Sequence, residues 1–203
     1  MQKEASGNKL EGMRRGLARH FTVPVVSVIA KIGITPDGLT WFGFLFTVAA
    51  AVLAGFGFLF WAGLTSLFAA FFDALDGALA RYLNRVTVFG GVLDSTLDRL
   101  SEGAMLVGIL VWYLNTANER PVFPALLVGI TLIASYTVSY IRARAEGAGL
   151  KCEVGISTRP ERVILTSIGL LVGQVTIALI IIAAMSTVTV VQRLYHVWRE
   201  TRK

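Results

Sequence analysis

The sequence predicts an all-α integral membrane protein: six transmembrane helices preceded by an N-terminal interfacial amphipathic helix. Three observations predict it. First, 55% of the 203 residues are hydrophobic and 16% are charged, with a mean hydropathy of +0.67, a balance outside the range of soluble domains. Second, uncharged runs fill Gly38 to Phe72, 103–118, 121–141 and 163–192, and a spanning helix needs roughly 20 apolar residues. Third, of 19 Lys and Arg residues only Arg120 falls in a loop on the side opposite the N-terminus. Positive residues stay cytoplasmic, so both termini are expected inside.

The elements follow in order along one domain, residues 1–203. Residues 1–35 form a cytoplasmic arm and interfacial helix: 1–12 read as a disordered basic arm, and "GMRRGLARHFTVPVVSVIAKIGIT" alternates basic and apolar residues as a surface helix does. No apolar signal core precedes it. The six-helix core covers 36–198. Gly55 and Gly57 split its first run into spans at about 38–56 and 59–82. Span three covers about 90–114, and Pro121 opens span four, which ends near Arg144. The 39 residues from Pro160 to Trp198 are a tight fit for two spans with a turn at Gly173, a single long tilted helix being the alternative, and 199–203 form a cytoplasmic tail.

The net charge of +6 and pI near 9.8 describe a basic cytoplasmic face against anionic lipid headgroups, with no nucleic-acid partner. The single cysteine, Cys152, excludes an intramolecular disulfide. No internal repeat is visible.

One segment breaks the apolar pattern. "FFDALDGALARYLNRVTVFGGVLDSTLDRL", residues 71–100, carries Asp73, Asp76, Asp94 and Asp98. Each ionised carboxylate in hydrocarbon costs ~2.5 to 3.5 kcal/mol on insertion scales, and four close together also repel, so a compensating charge is required. Asp73 and Asp76 are three residues apart and Asp94 and Asp98 four apart, so each pair shares a helical face. The pairs lie at the cytoplasmic ends of two antiparallel neighbours and converge. Mg²⁺ takes oxygen ligands and pairs a few carboxylates with substrate phosphates; two such ions neutralise the charges and build a site for phosphate chemistry. Plain ion pairs with Arg81, Arg85 and Arg99 are the alternative. Gly77 and Ala80 open space on the aspartate face, and Gly90 and Gly91 suit a close helix approach.

The spacing DxxDGxxAR, eight residues, GxxxDxxxD, filled here by Asp73, Asp76, Gly77, Ala80, Arg81, Gly90, Asp94 and Asp98, resembles the signature of the CDP-alcohol phosphatidyltransferases. The resemblance implies a six-helix membrane enzyme, usually a homodimer. In it an acceptor hydroxyl attacks the lipid-side phosphate of a CDP-linked lipid, and CMP leaves. It implies Asp73, Asp76, Asp94 and Asp98 as ligands of two Mg²⁺ or Mn²⁺ ions, with Asp98 also the general base. It implies a CDP-diacylglycerol site of Asp37, Gly38, Leu39, Thr40, Asp73, Gly77, Ala80, Arg81 and Thr87, in which "TPDGLT" (35–40) matches a Pro-Asn/Asp-x-x-Thr element.

The acceptor is read elsewhere. "SYIRARAEGAGL" (139–150) and "STRPERVIL" (157–165) cluster arginines at helix ends, and Pro160 sets a helix start between Arg159 and Arg162. Arginines there suit a phosphate monoester, while snorkelling at the positive-inside face is the bland alternative. These strings and "VVQRLYHVW" (190–198) resemble the actinobacterial phosphatidylinositol-phosphate synthases. By that resemblance Ser139, Arg142, Arg144, Arg159, Arg162 and Arg193 form an inositol-phosphate site. Glycerol 3-phosphate is the alternative acceptor, as in a phosphatidylglycerophosphate synthase. A divalent-cation transporter is the alternative from another class. The expected place is the cell membrane, multi-pass, with a cytoplasmic active site.

Overall fold

A computed structural model of the chain describes residues 24–116 and 122–202. The described residues are helical throughout apart from short connections. The helices are α1 (24–32), α2 (Pro36–Gly55), α3 (Leu59–Tyr82), α4 (Val88–Asn115), α5 (Val122–Gly147), α6 (Arg159–Leu171) and α7 (Val175–Glu200). Of the predicted arm and interfacial helix, 24–35 falls within them, with 24–32 helical; residues 1–23, with Arg120, Pro121 and Lys203, lie outside.

The boundaries follow from local chemistry. Thr35 caps α2 by accepting the Gly38 N–H at 3.1 Å, and Thr87 caps α4 by accepting the Gly90 N–H at 2.9 Å. Gly57 and Gly173 adopt φ of +85° and +68° and close Schellman-type ends: Phe58 N–H donates to Leu53 O at 2.9 Å and Gln174 N–H to Gly169 O at 2.8 Å. At the end of α3 the same turn is built on Asn84, φ 51°, with Arg85 N–H donating to Ala80 O at 2.9 Å. Asparagine is the next-best residue for that backbone. The turn leaves the end of α3 beside the start of α4, while both helices pack chiefly on α2 and not, as expected, on each other.

α2 packs on α3 and α4, α5 on α7, and α3 on α6. Small residues permit the closest approaches, as membrane helix packing requires. A Cβ on Gly108 would run into the Ala51 carbonyl of α2, and one on Gly63 would lie 2.8 Å from the Ser167 carbonyl of α6. Gly91 faces open space and Gly90 faces Thr87 and Asp37, so these two glycines shape a cavity and do not bring helices together as expected. The main core gathers Ala50, Ile109, Tyr113, Leu170 and Leu179. A second cluster of Val26, Leu39, Leu75 and Leu79 docks α1 against α2 and α3 beside the aspartates.

Four helices, α2, α3, α5 and α7, are long and apolar enough to cross a membrane among the described residues. Their outer faces expose Phe42, Phe60, Trp61 and Ile133. α4 has the length, 28 residues, but carries Asp94, Asp98, Arg99 and Glu102. α6 has only 13 residues, about 20 Å of helix. The tight fit foreseen between Pro160 and Trp198 is solved by this shortening. The coil before α6 turns inward along α7, where Thr189 Oγ1 accepts the N–H groups of Ile156 at 3.2 Å and Ser157 at 3.0 Å. Irregular backbone within a bundle is tolerated where protein satisfies its polar groups.

Candidate active site and metal centre

α3 and α4 bring the aspartates together. One carboxylate oxygen each from Asp73, Asp76 and Asp94 lies within 4.8 Å of the other two. Asp76 is buried and its Oδ2 has no hydrogen-bond partner among the described residues. An orphaned carboxylate oxygen facing two further carboxylates is the donor set of a hard divalent cation, so these residues fit the metal the motif implies. Asp98, one helical turn along α4, stands outside this trio.

Its partner is Arg159. The guanidinium at the first position of α6 forms an ion pair with Asp73 and lies 2.7 Å from Asp98 Oδ1, while Arg99 Nη1 is 3.4 Å from Asp98 Oδ2. The counter-charge therefore comes mainly from α6; of the three arginines in the plain ion-pair alternative, Arg99 pairs with Asp98, while Arg81 and Arg85 are not placed on the aspartates. Those two arginines line a different space.

That space is a cavity of about 150 Å³ between α2, α3 and the α3–α4 turn. Asp37, Thr40, Gly77, Ala80, Arg81 and Thr87 of the expected nucleotide site line it. The trio's Asp76 and Asp94 form its inner wall. Gly38 and Leu39 do not reach it: the Gly38 N–H is spent on Thr35, and Leu39 is packed into the α1–α2–α3 core. Arg85 joins the lining without having been assigned there; a loop cation next to the motif was its only signal.

The arginines expected around the acceptor divide by environment. Arg142 is exposed and its Nε donates to Glu146 at 2.7 Å; Arg144 is exposed and Ser139 half-buried. Arg193 is buried, donating to Val154 O at 2.9 Å and Val138 O at 2.6 Å, which ties α7 to α5 and to the inward coil. Arg142 and Arg162 lie within electrostatic reach of it. Arg162 is 3% exposed and donates from Nε and Nη2 to the two oxygens of Glu102 at 2.6 and 2.9 Å. Glu102 had not been singled out, although it repeats the four-residue step of Asp94 and Asp98 along one face of α4.

Arg159, Arg162, Asp73 and Glu102 also line a deeper cavity of about 350 Å³ with mostly small or apolar walls, among them Gly43, Ala69 and Ile182. One end of the site is thus polar and open to the α3–α4 turn, and the other leads into the bundle.

Comparison with known proteins accords with this geometry. The family model for CDP-alcohol phosphatidyltransferase matches residues 33–194. The chain is 37% identical to the phosphatidylinositol phosphate synthase of Mycobacterium tuberculosis over 201 residues, covering 94% of this chain and 92% of that protein. It is 38% identical to the archaetidylinositol phosphate synthase of Methanothermobacter thermautotrophicus over 195 residues, covering 93% and 94%. Crystal structures of the mycobacterial synthase superpose with a TM-score of 0.80 at 37% identity. They include one with CDP-DAG bound, covering 88% of this chain and 94% of that one, and one with manganese and citrate, covering 87% and 88%. A match across most of the chain, with every position of the aspartate motif filled, makes this membrane protein an enzyme of the CDP-alcohol phosphatidyltransferase family.

Proposed function

We propose that the protein is a phosphatidylinositol-phosphate synthase, transferring the phosphatidyl group of CDP-diacylglycerol to a hydroxyl of inositol phosphate (1D-myo-inositol 3-phosphate) with release of CMP. The observation that carries this reading is Arg159: a cation fit for a phosphate monoester touches both the aspartate trio and Asp98. The 37% identity to a phosphatidylinositol phosphate synthase over nearly the whole chain supports the same acceptor.

In this reading Asp73, Asp76 and Asp94 hold the divalent cations, Mg²⁺ or Mn²⁺, with Asp98 touching the second. When bound, such ions neutralise the carboxylates and polarise the pyrophosphate. Asp37, Thr40, Gly77, Ala80, Arg81 and Thr87 receive the CDP group, the small residues leaving room for the base and Arg81 offering charge to its phosphates. Ser139, Arg142, Arg144 and Arg159 receive the acceptor phosphate, with Arg162 and Arg193, both buried and held by protein partners, behind them. Asp98 takes the proton of the attacking hydroxyl. The hydroxyl oxygen bonds to the lipid-side phosphorus, the bond from that phosphorus to the bridging oxygen breaks, and CMP departs with that oxygen.

The membrane arrangement belongs to the same proposal. α4 and α6 join the four apolar helices as spans, both termini and the site face the cytoplasm, and two copies form a homodimer. Charges on α4 turned toward the site are the pattern expected of a functional span.

The test is CMP release by purified protein in liposomes with CDP-diacylglycerol and Mg²⁺ or Mn²⁺, offered inositol phosphate, glycerol 3-phosphate or free inositol in turn. Turnover with inositol phosphate alone is expected. Preference for glycerol 3-phosphate would overturn the acceptor, and no release with any of them would overturn the enzyme.

A further inference from the structure

We infer that Glu102 is a positioning residue for acceptor use: its carboxylate holds Arg162, and with it the first turn of α6, so that Arg159 is presented to Asp98 and the incoming phosphate. The inference rests on the proposed reaction and deepens it.

Asp98 and Glu102 are four residues apart on α4, and Arg159 and Arg162 three apart on α6, so each pair lies on one face. They meet as two rungs. Arg159 lies 2.7 Å from Asp98, and one turn deeper Arg162 lies 2.6 Å from Glu102. The backbone of α6 packs on α3 and α7, and it reaches α4 across the inner cavity through these arginines, since Glu102, Arg159 and Arg162 all line that space. The deeper rung is the rigid one. Both oxygens of Glu102 accept from Arg162, and Arg162 Nη1 donates to Ser157 O at 3.1 Å. Ser157 is itself held by Thr189 and Ser186 of α7 at 3.0 Å each.

Two consequences follow. Arg162 is buried and committed to these partners, so it acts on the acceptor through Arg159 and not by contact. A buried ion pair is also weak evidence for stability, because apolar replacements of similar volume often serve as well or better. A bidentate fork set one turn beneath the proposed base instead fixes a distance and an orientation, and the distance it fixes is the gap between Asp98 and Arg159.

The experiment measures KM for each substrate, kcat and the thermal midpoint for wild type, Glu102→Gln, Arg162→Gln and the double variant, using whichever acceptor the wild type accepts. That choice separates the two readings: a different acceptor overturns the inositol assignment and leaves the Glu102 test intact. Expected for E102Q is an acceptor KM raised by about tenfold or more, with KM for CDP-diacylglycerol within about twofold. Partial return is expected in Glu102→Asp, and the double variant should be no worse than the worse single, as for a coupled pair. Should E102Q fail to fold, the apolar pair Glu102→Met with Arg162→Leu keeps volume without charge; wild-type stability with a raised acceptor KM supports the inference. An unchanged acceptor KM in a folded variant, or additive single effects, overturns it.

Discussion

Arg159 of α6 lies 2.7 Å from Asp98 Oδ1 of α4 while the same guanidinium pairs with Asp73 of α3. One cation thus bridges the carboxylate proposed as base and a carboxylate proposed as metal ligand, which stand on two other helices.

Arg159 therefore opposes cation binding at Asp73. Charges a few ångströms apart near a protein surface interact by roughly 1 to 4 kcal/mol. Arg159→Ala is expected to tighten Mn²⁺ binding by about tenfold, read as loss of free Mn²⁺ signal by electron paramagnetic resonance without either substrate, while raising acceptor KM. Weaker Mn²⁺ binding in the variant would mean that Arg159 orients Asp73 and does not compete for it.

Asp98 is assigned the proton. Asp98→Asn keeps the shape of the side chain and removes the base, so kcat is expected to fall by roughly 10² to 10⁴, with the affinity for CDP-diacylglycerol changed by no more than a few-fold. Turnover and equilibrium binding on the same preparation check this. Turnover near the wild-type rate would assign the proton to another group.

Gly108 sets the spacing of α2 and α4, since any Cβ there meets the Ala51 carbonyl. Gly108→Ala must separate α2 from α4, and overpacking of this kind costs about 1 to 3 kcal/mol. A lower thermal midpoint in detergent is expected. Gly129→Ala on α5, where a Cβ meets nothing within 4 Å, is the matched substitution and should leave the midpoint unchanged or raise it. Equal losses in both would remove Gly108 from that role.

Much of this was readable from the chain. The turns at Gly57 and Gly173, the helix starts expected at about 38 and 90 and found two residues earlier at Pro36 and Val88, and the sharing of a face by Asp73 and Asp76 depend on residues within about one helical turn of each other, which local rules reach. The convergence of Asp73, Asp76 and Asp94 was readable as well, because a short turn keeps the end of α3 near the start of α4, although the helix both pack on is α2. Leu39 illustrates what was not readable. Its place in the motif suggested a ligand, while the direction of its side chain followed from how α1 docks on α2 and α3.

The sequence by itself determined the membrane class, the helix order, the aspartate constellation and the family chemistry it resembles, because hydropathy, helical period and motif spacing are properties of short segments. Only the tertiary structure decided that Arg159 stands between Asp73 and Asp98, that Arg162 is held by Glu102, and that α6 is short with an inward coil before it. Those outcomes depend on the rotation and depth of helices some sixty or more residues apart. Rotation and depth are set by where small residues let backbones meet, at Gly63 against Ser167 and at Gly108 against Ala51, and no local pattern encodes which pair will touch.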